Sequence, residues 1–255
     1  ARLAFPEGVC AEVIARGAHG ERRLRFEAGN DFPADFNAWL ERHGHVPLPP
    51  YIHRGMERPG DRERYQTVYA RPRPDGGSAA APTAGLHFTP EVLARLAARG
   101  VGWATVSLHV GLGTFQPVTS ERIEDHPMHS EHYAISAPAA ALINAARRDG
   151  RRIVAVGTTA VRVLETAGRA SSETAGASGE VAAGAGESRL FLYPGSQFHM
   201  VDALLTNFHA PRTTLLMLIA AFAGLDPVRR AYQHAIAGAY RFLSYGDCML
   251  IEDSD

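Results

Sequence analysis

The chain holds only two cysteines in 255 residues, Cys10 and Cys248, far apart and in no motif. Without CxxC or paired Cys/His spacing, neither a cysteine-based zinc site nor a disulfide framework is called for. Both thiols are expected to be reduced, in a cytosol. Long apolar runs are also missing. The longest, residues 215–223, is about half a membrane span, and the opening residues show no signal-peptide pattern, so a cytoplasmic protein is expected. Lysine is absent altogether: all 26 basic residues are arginine, which reads as GC-rich coding rather than function. An excess of one charge is missing too. A net charge of −1 argues against a general nucleic-acid binder, while leaving room for a local basic patch. No internal repeat is visible.

What is present is ordinary globular composition, 45% hydrophobic and 21% charged, so the chain can bury a core without staples, as one large domain or two smaller ones. Residues 9–14 and 22–26 read as strands around a glycine turn, the tail of a β-domain. An aromatic-rich helix is expected over 31–43, and a proline-rich connector over 46–52. From residue 89 the punctuation sharpens. Thr89 suits an N-cap, Pro90 the first helical position and Gly100 the stop. A buried strand over 101–110 follows, then a helix over 138–150 with Leu142 and Ile143 on its apolar side, a short strand over 153–156 and a helix through Thr166. Further strands are expected at 190–193, 201–205 and 247–251, and helices at 213–223 and 227–240. This alternation predicts a mixed or parallel α/β sheet. Residues 170–188, rich in Ser, Gly, Ala and Glu, predict a flexible surface loop.

Polar residues and glycines cluster where α/β proteins place their sites. In APTAGLHF (81–88), Gly85 permits close backbone approach and His87 is a base, a donor or a core histidine. LHVGLGTF (108–115) brings His109 and Gly111 to a strand end, or simply makes a tight turn. HPMHSEH (126–132) gathers His126, His129 and Glu131, which suit acid/base chemistry; a zinc site is the alternative. VGTTAVRVLE (156–165) delivers Gly157, Thr158 and Thr159 to a helix start, where free N–H groups favour an anion. Arg162 and Glu165, three apart, are expected to pair. TNFH (206–209) offers Asn207 and His209, and SYGD (244–247) offers Tyr245 and Asp247 close to Arg241. Arginines from Arg54 to Arg73, Arg64 among them, alternate with Tyr51, Tyr65 and Tyr69, a pattern that suits a single-stranded RNA loop or a self-paired surface.

The order of these motifs is specific. LPPYI (48–52), RYQTVY (64–69), APTAGLHF, LHVG with GTF (113–115), MHSE (128–131), VGTT (156–159), TNFH, TLLM (214–217) and SYGD together resemble the S-adenosylmethionine:tRNA ribosyltransferase-isomerase family of queuosine biosynthesis, over about residues 1–251. The resemblance implies a large α/β domain interrupted by a smaller β-barrel. Residues 1–30 would be the end of the barrel and 31–255 the large domain, with the family's opening segment lacking a counterpart, so that the chain is expected to be N-terminally truncated. It implies S-adenosylmethionine as a ribosyl-donating co-substrate, no metal, and a tRNA carrying 7-aminomethyl-7-deazaguanine at the wobble position as acceptor, handled by a monomer. The chemistry needs a base for the ribose C5′, for which Glu131, His129 and Asp247 are candidates. His87 and His109 would serve the leaving groups. Gly85, Gly111, Gly157, Thr158, Thr159 and Arg162 would hold the co-substrate. Tyr51, Arg54, Arg64, Tyr65, Asn207, His209, Arg241 and Tyr245 would meet the nucleoside and the anticodon loop. A small-molecule enzyme on the same scaffold, a metal hydrolase and an inactive RNA-binding fragment are the competing readings.

Overall fold

The computed structural model describes residues 1–17, 22–27, 32–49, 51–52, 58–71, 80–110, 118, 120–128, 130–175 and 179–252, with side chains at 124 and 172–175 left aside. The chain divides into two compact units, Ala1–Pro59 and Gly60–Asp255.

The first unit holds strands β1 (Arg2–Ala4), β2 (Cys10–Arg16) and β3 (Arg22–Phe26), antiparallel in that order. Alternation along β2 turns Ala11 inward, beside the buried Val9, and leaves Glu12 and Ile14 in solvent. Helix α1 (Phe36–His43) begins later than expected, where the Asp35 carboxylate accepts the Ala38 N–H at 3.0 Å. Phe26 meets Phe36 edge-on at 4.7 Å, and Phe36 stacks on Trp39. This aromatic seam ties α1 to the strands, which is why the helix belongs to this unit rather than the next.

Among the described residues the second unit holds two sheets. In one, β4 (Val106–His109), β5 (Glu131–Ile135) and β7 (Gly184–Ser188) pair antiparallel in that order. In the other, β6 (Val154–Val156) pairs parallel with β8 (Ala203–Asn207), which pairs antiparallel with β9 (Cys248–Glu252). The described helices are the short α2 (Asp61–Arg64), α3 (Pro90–Ala98), α4 (Ala137–Arg148), α5 (Thr158–Ala175), α6 (Thr214–Ala223) and α7 (Leu225–Ala237). Thr89 caps α3 through the Val92 N–H, and Gly100 and Gly150 follow α3 and α4 with left-handed backbone, as the sequence predicts. Leu142 departs from expectation: it is exposed, while Ala139, Ala140 and Ile143 form the buried face of α4.

Helix α5 is the core element. Val161, Val163 and Leu164 are buried together with Leu192, Met200, Leu204 and Ile219. Several sequence expectations fail around it. A loop is expected over 170–188, but residues 170–175 continue the helix and 184–188 form β7. Residues 190–193 form no strand, whereas residues 131–135, for which the sequence predicts none, form β5. Glu165 does not pair with Arg162. It is fully buried, and its carboxylate accepts the N–H groups of His199 (2.9 Å), Met200 (2.9 Å) and Val201 (3.1 Å), bracing an irregular segment against the helix.

Candidate functional site

Strand β6 delivers the chain to Gly157, whose φ of +90° only glycine adopts without strain. Its N–H is held by the Leu205 carbonyl at 2.8 Å, which fixes the turn to the neighbouring strand β8. Helix α5 then starts with the buried Thr158 and the half-buried Thr159. One turn on, Arg162 reaches back to the first residue of β5. Its Nη1 donates to Glu131 Oε2 at 2.5 Å, and its Nε donates to the Leu190 carbonyl at 3.1 Å. Glu131 is 3% exposed, so this pair is a buried one. Burial pulls the Arg162 guanidinium below its ordinary proton affinity, and Glu131 opposes that pull. Thr158, Thr159, Arg162 and Glu131 line a small cavity of about 30 Å³, closed by His126, Met128 and the apolar side chains of Leu190, Phe191, Leu192, Leu215 and Leu218.

A second group forms at the end of β8. The Asn207 amide donates to His87 Nε2 at 3.2 Å, while Asn207 Oδ1 accepts from the Thr83 hydroxyl at 3.2 Å. With Nε2 accepting, the neutral His87 ring carries its proton on Nδ1. Burial lowers the proton affinity of His87, and Asp247 nearby pushes it back up. Asp247 Oδ2 accepts the Arg241 N–H at 2.7 Å, and the Asp247 N–H bonds back to the Arg241 carbonyl at 2.8 Å, closing the loop that leads into β9. Asn207 pairs with Cys248 across the two strands, which sets Asp247 beside it in register. The two groups adjoin at Gly157: a Cβ there would lie 3.6 Å from Ala84 Cβ, in the 3₁₀ turn Thr83–His87 that carries His87.

The remaining candidates scatter. His209 is tied to the Thr206 hydroxyl at 2.9 Å, and its backbone N–H and carbonyl both bond the Tyr232 hydroxyl. Burial pulls its imidazole down to about 4, so it is neutral and structural at physiological pH. Tyr65 is 4% exposed and packs edge-on against Tyr245 at 5.5 Å, so it presents no open face for a base to stack on. Gly85 is buried where a Cβ would strike the Tyr69 hydroxyl, so close packing with protein accounts for that glycine. His109 ends β4, half-buried and in register with His132. Arg64 and Arg241 are exposed, as is Tyr51 in the first unit. Arg54, Gly111 and His129 lie outside the described residues. Thr83, Thr206 and Tyr232 support the site and were not singled out by sequence. Thr83 and Thr206 stand inside quoted motifs, but Tyr232 has only a helical position to mark it. Among the described residues no three His, Cys, Asp or Glu side chains gather as a metal site would.

Comparison with known proteins supplies the context for this geometry. An S-adenosylmethionine:tRNA ribosyltransferase-isomerase from Solibacter usitatus is 55% identical over 250 residues, 98% of this chain and 64% of that protein. One from Rhodospirillum rubrum is 50% identical over 99% of this chain and 69% of its own length. A crystal structure of the S-adenosylmethionine tRNA ribosyltransferase from Thermotoga maritima aligns with a TM-score of 0.54 at 36% identity, covering 98% of this chain and 64% of that one. The chain thus spans about two thirds of the length of these relatives. A family model described as queuosine biosynthesis protein matches residues 1–251, and the chain belongs to that family.

Proposed function

We propose that this chain carries the reaction centre of an S-adenosylmethionine-dependent ribosyltransferase-isomerase that acts on tRNA. The co-substrate donates its ribosyl unit to 7-aminomethyl-7-deazaguanine at the wobble position, giving epoxyqueuosine with release of adenine and methionine. The observation that carries this reading is the meeting at Gly157 of an anion-seeking helix start with a proton-handling group, His87, Asn207 and Asp247. A sulfonium acidifies the neighbouring C5′ hydrogens, so the reaction needs a positioned base, and departing adenine needs a donor. Asp247 is the better-placed base of the described candidates. Glu131 Oε2 is occupied by Arg162, so taking a proton there would break a buried ion pair. His87, whose accepting Nε2 leaves the ring proton on Nδ1, suits the leaving group. The exposed Arg64 and Arg241 are available to tRNA phosphates. No helix among the described residues is long and apolar enough to cross a membrane, and the proposed enzyme works in the cytosol as a monomer.

The test is mass analysis of tRNA bearing 7-aminomethyl-7-deazaguanine after incubation with the chain and S-adenosylmethionine. Gain of the ribosyl-derived unit together with released adenine supports the proposal. A folded chain that binds S-adenosylmethionine, yields neither product, and instead modifies a small molecule would overturn it.

A further inference from the structure

The first unit carries its charge unevenly. At one end of its sheet the arginines have carboxylates: Arg2 meets Glu27 at 2.5 Å and Arg25 meets Glu12 at 2.6 Å. On α1, Arg42 and His43 share Glu7. The other end, where the chain passes from β2 to β3, is different. Over residues 16–23 the sequence holds three arginines, Arg16, Arg22 and Arg23, against one acid, Glu21. All three arginines are exposed. Neither Arg16 nor Arg23 forms an ion pair among the described residues.

A bulge produces this arrangement. The pairing runs Glu12 with Arg25 and Val13 with Leu24, then slips past Ile14, so that Ala15 stands opposite Arg23 and Arg16 opposite Arg22. An unbroken ladder would instead set Arg16 opposite Glu21. Side chains directly opposite on two strands stand about 4.5–5.5 Å apart at Cβ, and like charges there weaken the pairing. The strand pair thus gives up a favourable partner at this end and keeps a repulsion that a bound anion would relieve. Consecutive strand residues point to opposite faces, so Arg16 and Arg22 lie on one face of the ribbon and Arg23 on the other. A lipid surface offers negative charge from one side only. A folded nucleic acid offers phosphates on both sides of a groove or bend, and the planar fork of arginine matches a phosphate with two hydrogen bonds. The net charge of −1 speaks against a protein that is basic throughout, and a patch confined to one hairpin end is compatible with it.

We propose that the end of the β2–β3 hairpin, formed by Arg16, Arg22 and Arg23, is a docking surface for the sugar-phosphate backbone of the tRNA. The proposal rests on the reading that tRNA is the substrate. Contacts to phosphate position the RNA without reading its sequence. The three arginines belong to Ala1–Pro59, so the first unit has a task of its own, holding the RNA while residues of the second carry the chemistry.

Equilibrium binding of an unmodified tRNA transcript, titrated over sodium chloride, tests the surface without needing turnover. The triple variant Arg16→Gln/Arg22→Gln/Arg23→Gln removes the cross-strand repulsion, so its urea midpoint should be no lower than that of the unaltered chain. Each lost phosphate contact takes about 0.7–0.9 from the slope of log affinity against log salt, so the variant should lose about two units of slope and bind tRNA about tenfold more weakly or worse at low salt. The charge-matched control Arg2→Gln/Arg25→Gln/Arg42→Gln, taken from arginines that already have carboxylates, should lose little. Equal affinity and slope for the triple variant and the unaltered chain, an equal loss in the control, or binding to phosphatidylserine vesicles with none to tRNA would each overturn the surface. The modification assay keeps the two ideas distinct. Product formed by both chains with the same KM for tRNA removes the surface alone; tRNA binding with the expected loss of slope but no product removes the reaction and leaves the surface.

Discussion

Glu165 illustrates how a buried carboxylate is satisfied by backbone donors. Its three backbone N–H bonds are charge-assisted and lie in the interior. Glu165→Gln keeps the shape but turns an amide donor toward N–H groups that need an acceptor, so we expect a loss of about 3 kcal/mol in denaturant unfolding. His209 gives a pH signature. Its folded value near 4 lies below the ordinary 6.5, so folding favours the neutral ring. The contribution is intact above pH 6.5 and is lost as the pH falls from 6.5 towards 4, by roughly 3 kcal/mol. Urea midpoints should therefore drop more steeply over that window for the unaltered chain than for His209→Gln; parallel curves would refute the assignment. At this scale the sequence was half legible. The VGTT turn, the Thr89 cap and the cluster membership of His87, Asn207 and Asp247 could be read locally. The partners of Arg162 and Glu165 could not, because they come from residues 131 and 199–201, and helical spacing suggested that the two paired with each other.

Helix α5 and its neighbours carry the same lesson one level up. Gly168 sits on the buried side of α5, where an added Cβ would come within 2.5 Å of Met200 Cγ and 2.7 Å of Sδ. Glycine to alanine within a helix is worth about 1 kcal/mol in propensity, but overpacking a closed core costs about 1–3 kcal/mol. Met200 is fully buried and has little room to swing aside, so Gly168→Ala should destabilise on balance. The double variant Gly168→Ala/Met200→Ala should lose less than the sum of the two single changes, which a double-mutant cycle measures directly. Strand β7 escaped sequence reading for a related reason. Its sequence, Gly-Ala-Gly-Glu-Ser, has low strand propensity, yet it pairs with β5, where a Cβ on Gly186 would collide with the Tyr133 ring. Small residues there make room for an aromatic from the neighbouring strand, and composition alone reads the same residues as a loop.

Over the whole molecule, both described groups of the site fall within Gly60–Asp255. A fragment of those residues should unfold cooperatively and keep the Glu165→Gln penalty; a broad, non-cooperative transition would show that the first unit is required for its folding. The α/β class was readable from alternating helices and strands, but the pairing order was not, since nothing local says which distant strand lies beside which. That order has a kinetic consequence. Val154 in β6 pairs with Ala203, which pairs in turn with Glu252, so the sheet beneath the site is made only of contacts between remote parts of the chain. Bringing such segments together costs loop-closure entropy before any contact compensates, and non-local pairing slows folding. The helices can form early, while the ends of β6 and β8 that hold Gly157 and Asn207 come together only when the last strands close. Refolded chain should therefore regain helical circular dichroism well before it regains ligand binding, with a lag during which the apolar strand β8 is exposed to self-association.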